Sequence, residues 1–229
     1  MLYSILFNET LTANEAVIHF LITILVYMVA LSIHEFAHAF IAFKCGDSTA
    51  KNAGRMTLNP FKHVDLTGFL FFIFLGIGWA KPVPVNPLNY KKFKKGTRSV
   101  SIAGILANFI FGLVAAIIYA ILLATVGFDG VTLSWIKVVL QYIMVINSIL
   151  AMFNLLPVPT LDGFAFVASF AKTENKFLQF MAKNGFKVLI GILLVGMVTD
   201  LLFGFDIFTI YLSLMHDLIY VPVTWLGGL

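Results

Sequence analysis

The sequence is poor in cysteine and in charged residues, and both shortages restrict what the protein can be. Its single cysteine, Cys45, excludes an intramolecular disulfide framework and cannot by itself form a structural zinc cluster. Only 11% of the 229 residues are charged, against roughly 25% in soluble domains. Because 60% are hydrophobic and the mean hydropathy is +0.98, the composition indicates an integral membrane protein.

Positive charge is also missing near the N-terminus, where no Lys or Arg precedes Lys44. A cleaved signal peptide carries a positive n-region, so we expect the first apolar segment to stay in the membrane. The net charge of +4 comes from basic residues in loops between apolar stretches, where they would meet the headgroups of the lipid bilayer. We therefore expect no nucleic-acid partner.

Long apolar runs, by contrast, are abundant. A transmembrane helix needs about 20 such residues, and five stretches qualify: 16–43, 99–126, 133–156, 186–204 and 207–227. A sixth stretch, 66–80, is shorter and contains three glycines, which fits a re-entrant segment better than a span. The sequence predicts an all-α membrane protein, a polytopic bundle of about five to six transmembrane helices. Without internal repeats or a separate soluble part, residues 1–229 are expected to form one domain.

The distribution of basic residues predicts the orientation. Of the 15 Lys and Arg, ten lie between Lys44 and Arg98 and four between Lys172 and Lys187. Cytoplasmic loops are enriched in Lys and Arg, and all these loops share one side if 66–80 enters the membrane and returns. We therefore expect a multi-pass protein of the cell membrane, with its N-terminus outside and its C-terminus in the cytoplasm.

Within the first apolar run, the stretch HEFAH (34–38) places three ionisable residues where a bilayer is expected. On a helix, His34 and His38 share one face and can bind one metal ion, with Glu35 beside them as general base. A zinc ion lowers the pKa of its water to about 7, and a carboxylate can then take the proton. Ionisable residues are costly at this depth, so the pattern favours one catalytic zinc per chain over a polar contact between helices.

A third zinc ligand must come from elsewhere in the chain, and the best candidate is Asp162 in NLLPVPTLDG (154–163). Proline cannot continue a helix, so we expect the helix to break there, at the active site. The extended backbone of residues 154–160, including Pro159, can then pair with an unfolded substrate. His63 is a rival ligand. His19 is a poor candidate because it lies about four turns earlier on the same helix, and His216, in the last apolar stretch, is interpreted as a packing or surface histidine.

These two motifs together resemble the site-2 protease family of intramembrane zinc metalloproteases, in its short prokaryotic branch. The resemblance runs from about residue 30 to 165 and includes three further stretches: GRMTLNPFKHVD (54–65), GWAKPVPVNP (78–87) and SIAGILANF (101–109). It implies hydrolysis of peptide bonds in or near transmembrane segments of membrane-protein substrates, with the active site toward the cytoplasm.

The resemblance also implies roles for individual residues. It makes His34, His38 and Asp162 the zinc ligands and Glu35 the catalytic base. It further implies that Asn154 helps to hold the substrate, and a buried amide can indeed bond an extended peptide or a developing oxyanion; a helix C-cap is the alternative.

Two neighbouring stretches receive smaller roles. His63 is expected to contact a ligand as a hydrogen-bond partner or to pair with Asp65 in a loop. The stretch 78–87 is expected to form a polyproline-like segment that shapes the site without taking part in catalysis.

Three positions depart from the usual family pattern: Leu66, Ile105 and Thr160 stand where proline is common. None is a ligand or the base, so they bear on loop shape and substrate fit. Two other functions stay open, a zinc or ion transporter and an inactive protein that binds membrane partners. A transporter does not need Glu35, and an inactive relative need not retain the complete ligand set.

Overall fold

The computed structural model describes residues 11–75, 78–171 and 175–227. Within these ranges the chain forms α-helices and two short 3-10 turns, and no strand longer than an isolated bridge. The helices are α1 (Ala13–Cys45), α2 (Thr49–Asn52), α3 (Leu66–Leu75), α4 (Phe93–Thr125), α5 (Val131–Leu155), α6 (Asp162–Ala168), α7 (Lys176–Phe203) and α8 (Ile207–Gly227). The 3-10 turns are Pro60–Lys62 and Pro87–Asn89.

Four helices, α1, α4, α5 and α7, are long and apolar enough to cross a membrane. They match the first four predicted spans, which confirms the prediction of an all-α membrane bundle. The fifth predicted span coincides with α8. Many side chains of this helix after residue 212 lie outside the described residues. Lys172, which bounds one of the basic loops used to predict orientation, also lies outside the described residues.

The short apolar stretch 66–80 returns to the place where it begins. It contains α3, whose ten residues are about 15 Å long, half the bilayer's hydrocarbon thickness of about 30 Å. On either side of it, Val64 and Ala80 form an antiparallel bridge, and the Lys81 N–H donates to the His63 carbonyl at 2.8 Å. The two ends therefore lie side by side, as a re-entrant segment requires; residues 76–77 are outside the described set.

The core lies where α1, α4 and α5 pack together. Small residues allow close approach, with Ala30 on α1 and Ala116 on α4 fully buried. The re-entrant segment joins this core through Phe72, whose ring stacks on Tyr27 of α1 with centroids 3.6 Å apart. Polar side chains are also buried on these three helices, among them His34, Asn108 and Asn147.

A buried carboxylate after α1 fixes the segment that follows the re-entrant helix. The helix ends at Gly46, whose φ of +113° is the left-handed conformation that favours glycine. Asp47 comes next and accepts hydrogen bonds from the Thr49 hydroxyl, the Asn86 backbone N–H and the Asn89 side chain. These contacts hold residues 78–87 across the end of α1.

Candidate active site

The structure brings the four central site residues of the sequence prediction together. Nε2 of His34 and Nε2 of His38 are 3.0 Å apart, and each lies 3.0 Å from Oδ2 of Asp162. Both histidines come from α1, one turn apart, and Asp162 is the first residue of α6. Both histidines and Glu35 are less than 10% exposed.

The hydrogen bonds behind the two imidazoles indicate what can occupy the centre. Nδ1 of His38 donates to the Val100 carbonyl at 2.8 Å, and Nδ1 of His34 donates to Oδ1 of Asn108 at 2.6 Å. A neutral imidazole that donates through Nδ1 presents a lone pair at Nε2. With both imidazoles neutral, two nitrogen lone pairs and a carboxylate oxygen face one another at 3.0 Å, which is repulsive unless a proton or a metal cation lies between them.

A zinc ion fits this donor set. Two histidines and one carboxylate are a common catalytic zinc set, and atoms about 2.1 Å from a tetrahedral zinc are about 3.4 Å apart. The observed separations are 3.0 Å, so a small outward shift accommodates the ion. The hydrogen bonds at Nδ1 are the outer partners that zinc-binding histidines normally have.

Close packing of α4 encloses this site. A Cβ added to Gly104 would lie 2.5 Å from Nε2 of His34 and 2.5 Å from Nε2 of His38. Real Cβ atoms do not approach this closely, so only glycine lets α4 pass so near the two imidazoles.

Glu35 has a specific backbone partner. Its Oε2 accepts a hydrogen bond of 2.7 Å from the N–H of Val83, within the stretch 78–87. The stretch does lie over the site, as the sequence predicts. It also orients the carboxylate of Glu35. The sequence predicts that this stretch shapes the site, and it does not predict this contact.

A cavity of about 380 Å³ opens in front of these residues. His34, Glu35, His38 and Asp162 line it on one side, and Asn154 and Trp79 contribute to its wall. Asn154 donates through Nδ2 to the Leu150 carbonyl of the preceding turn at 3.0 Å. The amide therefore lies at the cavity and does not cap the helix end.

The helix break after α5 is present, but the extended backbone predicted for 154–160 is wrong. The Val158 N–H donates to the Leu156 carbonyl at 2.8 Å, and the Leu161 N–H donates to the Val158 carbonyl at 3.0 Å. These local bonds make a compact turn, because two prolines separated by one residue leave few donors for a strand. Pro159 is not among the residues that line the cavity, and its ring lies against Gly185 of α7.

Thr160 gives this turn a shape that proline, the residue common at this position in the family pattern, would not allow. Its φ is +85°, the one positive φ at a non-glycine residue in the described chain. Proline is restricted to φ near −65°, so a chain with proline here must turn differently. The observed backbone two residues before Asp162 therefore requires a residue other than proline at position 160.

The other histidines lie away from the site. His63 is buried, but Nε2 donates to the Thr57 carbonyl at 2.8 Å and the side chain does not reach the cavity. Its predicted contacts with a metal ligand or with Asp65 are absent among the described residues, where its Nδ1 has no hydrogen-bond partner. Oδ1 of Asp65 accepts from the Gly68 N–H. Nδ1 of His19 lies 3.1 Å from the Tyr142 hydroxyl, and Nδ1 of His216 lies 3.4 Å from Asp217.

Sequence reasoning missed several residues that support the site. Asn108 and Asn147 are fully buried and linked to His34. Arg98 fastens the end of α6 by donating to Ser169 and stacking over Phe170 at 3.8 Å. The two amides lie in the middle of apolar spans, and this position was the available signal for them.

Comparison with known proteins gives a consistent family. The peptidase family M50 profile matches residues 129–198, which include Asn154 and Asp162. A Bacillus subtilis protein named "Putative zinc metalloprotease YwhC" is 37% identical over 153 residues, 63% of this chain and 66% of that protein. No solved structure matches the chain significantly.

Two further relatives are each named "Putative zinc metalloprotease Rip2". The Mycolicibacterium smegmatis protein is 27% identical over 76% of this chain and 67% of its own length. The Mycobacterium tuberculosis (H37Rv) protein is 29% identical over 69% of this chain and 60% of its own length. The chain thus spans about two thirds or less of the relatives it matches. By the profile and these relatives, it belongs to peptidase family M50, the site-2 protease family of metalloproteases.

Proposed function

We propose that the protein is an intramembrane zinc endopeptidase that hydrolyses peptide bonds in or near transmembrane segments of membrane proteins. The observation that carries the proposal is the convergence of His34, His38 and Asp162 beside Glu35. The cavity in front of them lies within a bundle of apolar helices. Metallopeptidase chemistry needs a metal, a base and room for a peptide, and this convergence of candidate ligands, carboxylate and cavity supports the proposal.

The residues divide the work of the reaction. Bound zinc would supply Lewis acidity that makes a water acidic near neutral pH. The Glu35 carboxylate, oriented by the Val83 N–H, takes the proton of the attacking water and passes it to the leaving amine. Asn154 lies at the same cavity and can donate its second amide hydrogen to the substrate backbone or to the developing oxyanion.

The substrate proposed is a transmembrane helix that unwinds locally, because helical carbonyls are already hydrogen-bonded. The outer helices α7 and α8 are the proposed place of entry, since the most apolar window of α7 is only 6% buried. Water is proposed to enter from the cytoplasmic side, and the basic loops 44–62 and 81–98 adjoin the end of α1 that carries the site. One zinc ion per chain completes the proposal.

The test combines zinc content with cleavage in the detergent-purified chain. We expect about one zinc in the wild type and in Glu35→Gln, and clear loss in Asp162→Ala. Cleavage of a single-span polypeptide with glycines in its span, reconstituted in vesicles, should be lost in both variants. His63→Gln is the matched control and should keep both properties, because His63 lies outside the cavity.

Two results would contradict the proposal. Full zinc in Asp162→Ala would remove that residue from the ligand set. A zinc-loaded wild type that cleaves no membrane polypeptide, and a Glu35→Gln variant that behaves like it, would favour metal transport or binding instead.

A further inference from the structure

The two histidines of the site are held in different ways. Nδ1 of His38 donates to a backbone carbonyl, that of Val100. Nδ1 of His34 donates to a side chain, that of Asn108 on α4. We propose that Asn108, itself oriented by Asn147 on α5, is a positioning residue that fixes the tautomer and direction of His34 for metal binding. The inference rests on the proposed function, because it assigns His34 to a metal.

The orientation of the Asn108 amide follows from its surroundings. A backbone carbonyl can only accept, and the Ala30 carbonyl lies 3.1 Å from Nδ2 of Asn108. The same Nδ2 donates its second hydrogen to Oδ1 of Asn147 at 2.7 Å. The oxygen of Asn108 must then face His34, which can bond it only by donating from Nδ1.

Asn147 is fixed in turn by its own helix. Its Nδ2 donates to the Ile143 carbonyl one turn earlier at 2.8 Å, which leaves Oδ1 pointing at Asn108. Three hydrogen bonds therefore run in series from the backbone of α5 to the imidazole of His34. The direction of every bond is set, so Nε2 of His34 carries its lone pair toward Asp162.

Burial adds weight to this chain of bonds. Asn108 and Asn147 are 0% exposed, and a polar side chain in an apolar bundle is costly unless every donor and acceptor is paired. Two amides that merely joined helices could bond each other alone. Here the series ends on a metal-ligand candidate, and replacing such an outer partner typically weakens metal binding by about 10–100-fold.

The experiment measures the zinc dissociation constant of the detergent-purified full chain by competition with a chromophoric chelator. Asn108→Leu, similar in volume but unable to accept, should weaken zinc binding by about 10–100-fold. Asn108→Asp should bind zinc more nearly like the wild type. A protonated carboxyl keeps an acceptor oxygen for His34 and a donor for Asn147.

Asn147 provides a second arm. Asn147→Leu should weaken zinc binding less than Asn108→Leu, and should add nothing when Asn108 is already leucine, because it acts through that residue. Ser148→Ala is the matched control. Ser148 is equally buried and adjacent on α5, but its hydroxyl donates only to Met144 within the helix.

A structural role alone would change stability without changing the metal's surroundings. The visible d–d bands of the cobalt-loaded protein should therefore shift in Asn108→Leu and stay unchanged in Ser148→Ala. The inference is overturned if Asn108→Leu binds zinc like the wild type, or if Asn108→Asp is as weak as Asn108→Leu. If zinc binding follows the expected order but the wild type cleaves no membrane polypeptide, the inference stands and the proposed protease activity fails.

Discussion

The helices that carry the site and the helix α7 outside it are similarly apolar, yet very different shares of their residues are buried. In the most apolar 18 residues of each helix, between 28% and 39% of the residues are buried in α1, α4 and α5, against 6% in α7. The inner helices also bury histidine, glutamate and asparagine side chains, each with a hydrogen-bond partner. The inner helices thus form a fixed polar site, while α7 presents an apolar surface suited to lipid or to an entering helix.

The contrast predicts that a side chain added inside the core lowers zinc content and cleavage far more than the same addition on α7. In Gly104→Val the new atoms collide with His34 and His38. We expect zinc content to fall sharply and cleavage to drop by at least ~100-fold, because displacement of a catalytic group by about 1 Å has effects of that order. Zinc analysis and the vesicle assay measure both.

The control for this change is Gly191→Val on α7. An added Cβ there meets nothing within 4 Å, so zinc content and cleavage should match the wild type. Equal loss of zinc and cleavage in Gly104→Val and Gly191→Val would show that a side chain added to α4 disturbs the site no more than one added to α7.

The backbone contact to Glu35 can be removed without changing any of the three proposed metal ligands. Val83→Pro deletes the N–H that donates to Glu35 while leaving His34, His38 and Asp162 in place. Cleavage should fall about 10-fold or more, since a hydrogen bond to a charged group contributes roughly 1.5–3 kcal/mol. Zinc content should not change.

Val83→Ala keeps the N–H and should retain more activity than the proline variant. If the two variants cleave equally well, the hydrogen bond from residue 83 has no part in orienting the base.

The anchor of the stretch 78–87 should depend on pH. Burial acts to raise the pKa of Asp47, but hydrogen bonds from Asn86, Thr49 and Asn89 outweigh it, and the pKa lies below its ordinary value. The carboxylate therefore stabilises the fold above the ordinary pKa of about 3.9. This contribution disappears as the pH falls through the lower pKa of the folded state.

We expect Asp47→Ala to lower the free energy of unfolding at pH 7 by about 2 kcal/mol, measured by thermal unfolding in detergent. The difference from the wild type should shrink in strong acid. Asp129→Ala, at an exposed carboxyl, is the control and should have little effect at either pH.

The smallest effect is expected where the outer helix touches the core. In Gly185→Leu the new side chain meets the ring of Pro159, and α7 is the element free to move because so little of it is buried. The free energy of unfolding should fall by about 1 kcal/mol, the lower end for overpacking. Zinc affinity should stay unchanged; a loss would mean that α7 braces the turn before Asp162.

The sequence was informative where polar residues stand out against an apolar background. His34, Glu35 and His38 are ionisable groups within a span, and the prolines before Asp162 are incompatible with a helix, so each attracts attention without a structure. The shape of the turn at 156–161 could not be read in the same way. Proline excludes a helix, but local hydrogen bonds and the positive φ of Thr160 decide what replaces it.

The sequence by itself determined the apolar bundle, the helical pair of histidines with their glutamate, and the break before Asp162, because these follow from local periodicity and residue chemistry. Only the tertiary structure decided how they meet. It placed Gly104 against the imidazoles, Val83 on Glu35 and Asn108 behind His34. These partners are 48 to 74 residues from the groups they hold, and no local pattern encodes a contact between segments so far apart in the chain.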